Sequence, residues 1–180
     1  MRLAFSTIVI IALGLGVPCL AQQEAGDKEI GVGGTIDLSH QNLSGNATMQ
    51  FSLGKYFTRN QFFGIQLVPT VRLEKGTNGQ KGTNTFGGFF GGGYRYLFGA
   101  KDRRVFPFVG AGGGAYLQKG TNGSSSAAGT GLGEVGLKSY FSQKTSFEVA
   151  YNFLYLNAGG GGGFSNKTRS QILFSLRHLF

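Results

Sequence analysis

The sequence predicts an all-β fold: an eight-stranded antiparallel up-and-down transmembrane β-barrel with an N-terminal signal peptide. Gly supplies 33 of the 180 residues, far above the ordinary share of about 7%. No G-X-Y period runs through it, so collagen is excluded, and each Gly would cost a helix about 1 kcal/mol, which excludes a helical bundle. The 17 Phe and 7 Tyr give an aromatic content that disordered chains lack. Alternation of apolar and polar residues with period two recurs in eight segments, at 29–38, 47–57, 61–74, 85–98, 105–117, 130–141, 145–157 and 168–180. An even number of such segments, each about ten residues or longer, is the pattern of strands that cross a bilayer.

The N-terminus stands apart from these strands. Arg2 gives a short positive end, Ile8–Val17 is apolar, and Cys19-Leu20-Ala21 offers small residues at the −3 and −1 positions of a cleavage site. Residues 1–21 are therefore expected to be a signal peptide cleaved after Ala21. The apolar run is too short to remain as a spanning helix, for which about 20 residues are needed. Pro18 and Gly16 make a poor lipoprotein signal around Cys19. Residues 22–28 read as a loose polar leader and 29–180 as the barrel domain. The 159 residues of 22–180 hold no cysteine, so an exported chain must draw its stability from topology, a ligand or the membrane.

The two faces of each strand decide which environment the barrel prefers. In the last strand Ile172, Phe174, Leu176, His178 and Phe180 share one face, and Arg169, Gln171, Leu173, Ser175 and Arg177 the other. In the seventh, Phe147, Val149, Tyr151, Phe153 and Tyr155 alternate with Ser146, Glu148, Ala150 and Asn152. The fourth sets Phe86, Phe90, Tyr94, Tyr96 and Phe98 against Gly87, Phe89, Gly91, Gly93, Arg95 and Leu97. The third sets Phe63, Ile65, Leu67, Pro69, Val71 and Leu73 against Gly64, Gln66, Thr70 and Arg72. A narrow barrel cannot hold such bulky faces inside, whereas lipid accepts them outside while small and polar residues fill the interior. A soluble secreted barrel or sandwich would need polar outer faces on several strands, and few are visible. The fifth strand is the least clear, with Phe106 and Phe108 opposite Val105, Pro107 and Val109.

Charges on inward faces need partners, because an unpaired buried charge costs several kcal/mol. Antiparallel neighbours pair residues whose numbers have a constant sum. Inward Glu29 and Asp37 of the first strand and Arg177 and Arg169 of the last give 29 with 177 and 37 with 169, each summing to 206. Two acid–base pairs are thus expected across the closing seam. The turn Ser142–Lys144 gives a sum of 286 and sets Lys138 opposite Glu148. A structural salt-bridge network is the expectation; a gate or proton path made from the same residues is the alternative. Inward Gly31, Gly33, Gly64, Gly87, Gly91, Gly93 and Gly136 are expected to leave unusual space in the lumen.

Ser52-Leu-Gly-Lys-Tyr-Phe-Thr-Arg-Asn and Gly136-Leu-Lys-Ser-Tyr-Phe-Ser-Gln-Lys resemble each other, each closing a strand with Tyr-Phe before a tight polar turn. Turns near Thr58–Asn60, Gly99–Arg104 and Ser142–Lys144 then share one membrane surface, with Phe180. Loops at Ser39–Asn46, Lys75–Asn84, Gln118–Gly129 and Ala158–Lys167 share the other, and Lys-Gly-Thr-Asn recurs at 75–78, 81–84 and 119–122.

The signal peptide, the eight alternating strands, Phe106-Pro-Phe-Val-Gly-Ala-Gly-Gly-Gly114 and the terminal Ser175-Leu-Arg-His-Leu-Phe180 together resemble the small outer-membrane β-barrels of the OmpA-, OmpX- and OmpW-like family. The resemblance covers 29–180 and implies the outer membrane of a Gram-negative bacterium, with the tight turns periplasmic and the loops outside. It also implies that Phe180, with Leu176 and Phe174 at alternate positions, is the signal read by the barrel-assembly machinery; His178 stands where the family usually has an aromatic. The chain stops at the barrel, so the peptidoglycan-binding domain of OmpA-type proteins does not carry over.

Other motifs carry little. Gly131-Leu-Gly-Glu-Val-Gly136 matches a dinucleotide fingerprint in spelling but lies in a strand with no helix after it. The glycosylation sequons at Asn42, Asn46, Asn122 and Asn166 matter only in a eukaryotic secretory route. His40, with Ser39 and Asp37 nearby, is a loop histidine rather than a catalytic one, and two His without a free Cys offer no metal site. No catalytic residue, metal or cofactor is expected. The formal charge of +9, falling to +8 without Arg2, suits an acidic partner; nucleic acid is implausible for a membrane barrel. Lys75, Lys81, Lys119 and Lys167 would stand level with the phosphates of lipopolysaccharide. The expected protein is a monomer in outer-membrane lipid with a role in envelope structure. A narrow passage for small solutes, or adhesion through the loops, are the alternatives.

Overall fold

The computed structural model of the chain describes residues 23–39, 44–73, 84–100, 103–121, 123, 125–157 and 167–180. The expected signal peptide, His40, Lys75 and Lys81 lie outside them, as do the side chains of Asp37, Lys167 and Arg169. Eight strands follow in order: β1 (Lys28–Ser39), β2 (Ser44–Thr58), β3 (Gln61–Leu73), β4 (Thr85–Leu97), β5 (Val105–Gly120), β6 (Ser125–Tyr140), β7 (Thr145–Asn157) and β8 (Lys167–Leu179). Each pairs antiparallel with its neighbours, and β8 returns to β1 to close the barrel. Closure leaves the sheet without a free outer edge, which a bilayer demands because it offers backbone groups no water.

The strands alternate as their sequences require. On β3 the inward Phe62, Gly64, Gln66 and Val68 alternate with exposed Phe63, Ile65 and Leu67. Around the outer wall Ile30, Val32, Leu53, Ile65, Leu67, Val135, Leu137, Ile172 and Leu176 are 45–54% exposed. A soluble monomer rarely shows a continuous apolar surface of more than a few hundred Å²; here apolar side chains face outward on every strand. Phe106 and Phe108 of the ambiguous fifth strand point inward and are fully buried, with Pro107 on the outer face.

Two hairpins run further than the apolar alternation suggests. β5 and β6 stay paired as far as Lys119 and Ser125, and β1 and β2 as far as Ser39 and Ser44. The loops expected at Gln118–Gly129 and Ser39–Asn46 are correspondingly shorter. Ser, Thr and Gly carry no apolar period there, yet the ladder is made by backbone and continues wherever a paired neighbour templates it.

The Ser142–Lys144 turn sets the β6–β7 register with Lys138 opposite Glu148. Ser142 Oγ accepts the Thr145 N–H at 2.9 Å and fixes that turn. The closing seam differs from the expected sum of 206: Glu29 faces Leu179 and Gly31 faces Arg177, both pairs summing to 208. A slip of two residues keeps every side chain on its face, so Glu29 and Arg177 still point into the lumen, now on a diagonal. Among the described residues the seam ladder runs only as far as Gly34 opposite Phe174, before the level of Asp37 and Arg169.

The leader is not loose. Gly26 N–H donates to Tyr56 O at 2.8 Å, and Tyr56 N–H donates to Asp27 O at 2.8 Å. Gln23 is turned into the barrel mouth and is 1% exposed.

Candidate functional site

The lumen is filled in layers. At the end that carries the tight turns, Tyr56, Phe62, Leu97, Phe106, Phe108, Tyr140, Ala150 and Leu179 form one buried apolar cluster. Towards the loops, Val68, Phe89, Tyr116, Leu132, Leu154 and Leu156 form a second. Charged side chains from five strands meet beside the first cluster and form the candidate site.

These charges form one alternating chain. Arg95 on β4 donates from Nη2 to Glu134 Oε2 at 2.7 Å and contacts the other oxygen through Nε. Its Nη1 donates to both oxygens of Glu148 on β7 at 3.1 Å. Arg177 on β8 donates from Nη2 to Glu148 at 2.9 Å and from Nη1 to Glu29 on β1 at 3.2 Å. Arg177 Nε lies 2.6 Å from Glu148 Oε2, an ion-pair contact whose N–H is not aligned as a hydrogen bond. Lys138 on β6 pairs with Glu29 and donates to Tyr56 Oη at 2.7 Å, and Tyr56 donates to Glu29 at 3.1 Å. Arg177 also reaches Ser52 Oγ at 3.0 Å.

The order is Glu134, Arg95, Glu148, Arg177, Glu29, Lys138: three anions and three cations, all buried. Charges that would be costly one by one are neutral as a set, and their hydrogen bonds are largely satisfied by one another. Aromatic faces add to this: Arg95 lies 5.1 Å from the Phe108 ring centre, and Lys138 lies 5.4 and 5.2 Å from those of Tyr56 and Tyr140. Tyr140 in turn hydrogen-bonds Gln23, whose Nε2 donates to Arg59 O at 3.0 Å. The leader is thereby tied to the end of the ionic chain.

The structure thus brings together Glu29, Arg177, Lys138 and Glu148: the expected Glu29–Arg177 pair forms, on a diagonal, while the expected Lys138–Glu148 pair does not. Lys138 takes Glu29 as its partner and leaves Glu148 to the two arginines. Arg95 and Glu134 complete the chain without having been singled out. Arg95 sits on an inward face with Gly91 and Gly93, and Glu134 sits inside the dismissed Gly-rich motif. Requiring a partner for every inward charge would have found both.

The inward glycines do not leave open space. A Cβ on Gly31 would lie 3.1 Å from Arg177 Nη1, one on Gly110 3.0 Å from Arg95 Cγ, and one on Gly136 2.7 Å from the Phe108 ring. Phe62 covers Gly64, Phe89 covers Gly91, and Tyr116 covers Gly87. Gly31, Gly64, Gly87, Gly91, Gly110 and Gly136 are seats for large side chains, whereas Gly33 and Gly93 chiefly meet the backbone of neighbouring strands.

The remaining candidates lie apart. His178 is on the outer wall, exposed, with Nδ1 3.1 Å from Thr145 Oγ1. Leu176 and Phe180 are exposed on the same face, and Phe174 stacks on Phe147 at 6.2 Å. Lys119 is exposed at the loop end of β5. Among the described residues no group of three or more His, Cys, Asp or Glu is arranged to hold a metal ion.

No protein-family model matches the chain, and no curated protein matches it. Solved structures do, among them several small eight-stranded outer-membrane barrels. The N-terminal β-barrel domain of Pseudomonas aeruginosa OprF is similar with a TM-score of 0.60 and 16% identity, over 88% of this chain and 100% of that one. Neisserial surface protein A is similar with a TM-score of 0.58 and 15% identity, over 86% and 96%. Ail, the attachment invasion locus protein of Yersinia pestis, is similar with a TM-score of 0.51 and 10% identity, over 87% and 99%. At these identities the likeness establishes the fold: this chain is built as the small outer-membrane barrels are.

Proposed function

We propose that the chain is an integral protein of a Gram-negative outer membrane that serves envelope structure, without enzymatic activity and as a monomer. The observation that carries this is the closed interior: a neutral ionic chain, seven buried aromatic rings (Tyr56, Phe62, Phe89, Phe106, Phe108, Tyr116 and Tyr140) and Gln23 at the mouth. A barrel filled in this way spends its interior on holding strands together. Export through a signal peptide cleaved after Ala21, and assembly through the C-terminal Phe180, belong to the same proposal. So does the orientation, with the tight turns and leader in the periplasm and the Lys-bearing loops outside.

The test is single-channel recording on the refolded mature chain in a planar lipid bilayer, after a heat-dependent gel shift has shown it to be folded. The filled lumen predicts no discrete conductance steps. Reproducible small steps would replace the structural role with a narrow solute passage.

A second reading is contact with an anionic surface polymer through the loops. It is supported by exposed Lys119 and by the positive charge of the neighbouring loop sequences. Ail, similar in fold, has been crystallised with the heparin analogue sucrose octasulfate. In this chain lipopolysaccharide phosphate is the nearest such anion, and Lys75, Lys81, Lys119 and Lys167 are the residues that would meet it.

A further inference from the structure

Among the ladder pairs of the described residues, two like charges stand directly opposite each other at one place only: Lys28 on β1 and Lys55 on β2. Directly opposed like charges destabilise a strand pair. Both lysines are exposed and point away from the lumen, the inward positions beside them being Glu29 and Tyr56. Neither ammonium has a hydrogen-bond or ion-pair partner among the described residues; the terminal carboxylate of Phe180 stands opposite Lys28 on the seam, where one of its oxygens accepts the Lys28 backbone N–H at 3.2 Å rather than the ammonium. The two ammonium groups therefore face each other across the ladder with no ion pair of their own among the described residues.

The chemistry around the pair identifies the anion that suits it. Two residues further along the same strands Ile30 faces Leu53, and two further again Val32 faces Phe51. All four are outward and 40–47% exposed. The wall here reads, from the tight-turn end towards the middle, as two cations followed by two apolar rungs. Aromatic rings stand on either side: Phe63 opposite Lys55 with Phe57 6.4 Å from it, and Phe180, whose N–H donates to Lys28 O at 2.9 Å. A free phosphate would use the cations and ignore the rungs. A phospholipid uses both, with its phosphate between the ammonium groups at the membrane surface and its acyl chains along the rungs.

We propose that Lys28 and Lys55 form a binding site for the headgroup phosphate of an anionic phospholipid in the periplasmic leaflet, with Ile30, Leu53, Val32 and Phe51 seating its chains. The site rests on the membrane reading given above. It adds a lipid ligand on the outer wall, separate from the ionic chain in the lumen. The bound phosphate also removes the repulsion across the β1–β2 ladder, next to the strand that closes the barrel.

The test uses the mature chain folded in phosphatidylcholine vesicles, with folding scored by the heat-dependent gel shift. It is then extracted in detergent and titrated with phosphatidylglycerol, and retained lipid is counted by native mass spectrometry. The site predicts retention of phosphatidylglycerol over phosphatidylcholine, lowered roughly thirtyfold in Lys28→Gln/Lys55→Gln. Retention is expected to be unchanged in Lys144→Gln, which alters an exposed turn lysine at the same end. An excess of inorganic phosphate should not displace the lipid. Equal retention by the double variant overturns the proposal, and so does displacement by inorganic phosphate, which would mark a simple anion site. Each of these outcomes leaves the membrane reading intact, because the protein has already folded in vesicles. Failure to fold in vesicles would overturn both.

Discussion

Five of the aromatic rings in the lumen rest where the chain has no Cβ: Phe62 on Gly64, Phe89 on Gly91, Phe106 on Gly99, Phe108 on Gly136 and Tyr116 on Gly87. This accounts for these five glycines at the level of single residues. The edge of each ring occupies the space that a Cβ on the glycine would take. The explanation separates inward from outward glycines. A side chain at Gly136 would push into the Val149 carbonyl of the neighbouring strand and into the Phe108 ring at 2.7 Å, whereas Gly131, on the outer wall, has nothing within 4 Å. Gly136→Val is expected to cost about 1–3 kcal/mol, as overpacking does, and Gly131→Val to be neutral or mildly stabilising. Urea midpoints of the two variants in vesicles, followed by the gel shift because the chain has no Trp, check the contrast. Equal losses would mean that backbone freedom, not ring seating, selects these glycines.

At the scale of elements, alternation made the strands legible because lipid and lumen impose opposite demands on adjacent residues. The faces of β3, β4, β7 and β8 follow from period two alone. The seam register did not, because sums of 206 and 208 place the same residues inside and Arg177 is long enough to reach Glu29 on a diagonal. Nor did the leader: Gln23-Glu-Ala-Gly-Asp27 is polar and short, and its order comes from partners distant in sequence, Arg59 and Tyr140. Partner choice within the ionic chain was hidden for the same reason, since contacts across a lumen obey no ladder. The leader carries a prediction of its own. Gln23 closes the mouth at the tight-turn end with two hydrogen bonds, each worth about 1 kcal/mol. Gln23→Ala should therefore raise the rate at which a water-soluble maleimide labels a cysteine at Ser146, buried near that end, by about thirtyfold. An unchanged rate would show that the mouth is closed without Gln23.

For the whole molecule, two surfaces and one interior make separate predictions. If the loops meet lipopolysaccharide, replacing Lys75, Lys81, Lys119 and Lys167 by Gln should weaken its binding at least about tenfold, measured by co-sedimentation with lipopolysaccharide micelles. Unchanged sedimentation would remove those lysines from the interaction. The interior bears on the central claim, that six buried charges hold the barrel together as one neutral set. Lys138 stands at the end of the chain, with Glu29 as its carboxylate contact and no second one in ion-pair reach among the described residues. Glu29→Gln strands that cation in the lumen and should cost about 3–5 kcal/mol. Removing Lys138 as well restores neutrality and leaves Arg177 paired to Glu148 and Arg95 paired to Glu134 and Glu148. The most direct measurement is the urea unfolding free energy, in phosphatidylcholine vesicles, of Glu29→Gln, Lys138→Gln and the double variant. The account predicts a double variant more stable than Glu29→Gln alone, with a coupling well outside additivity. Losses that simply add would contradict it.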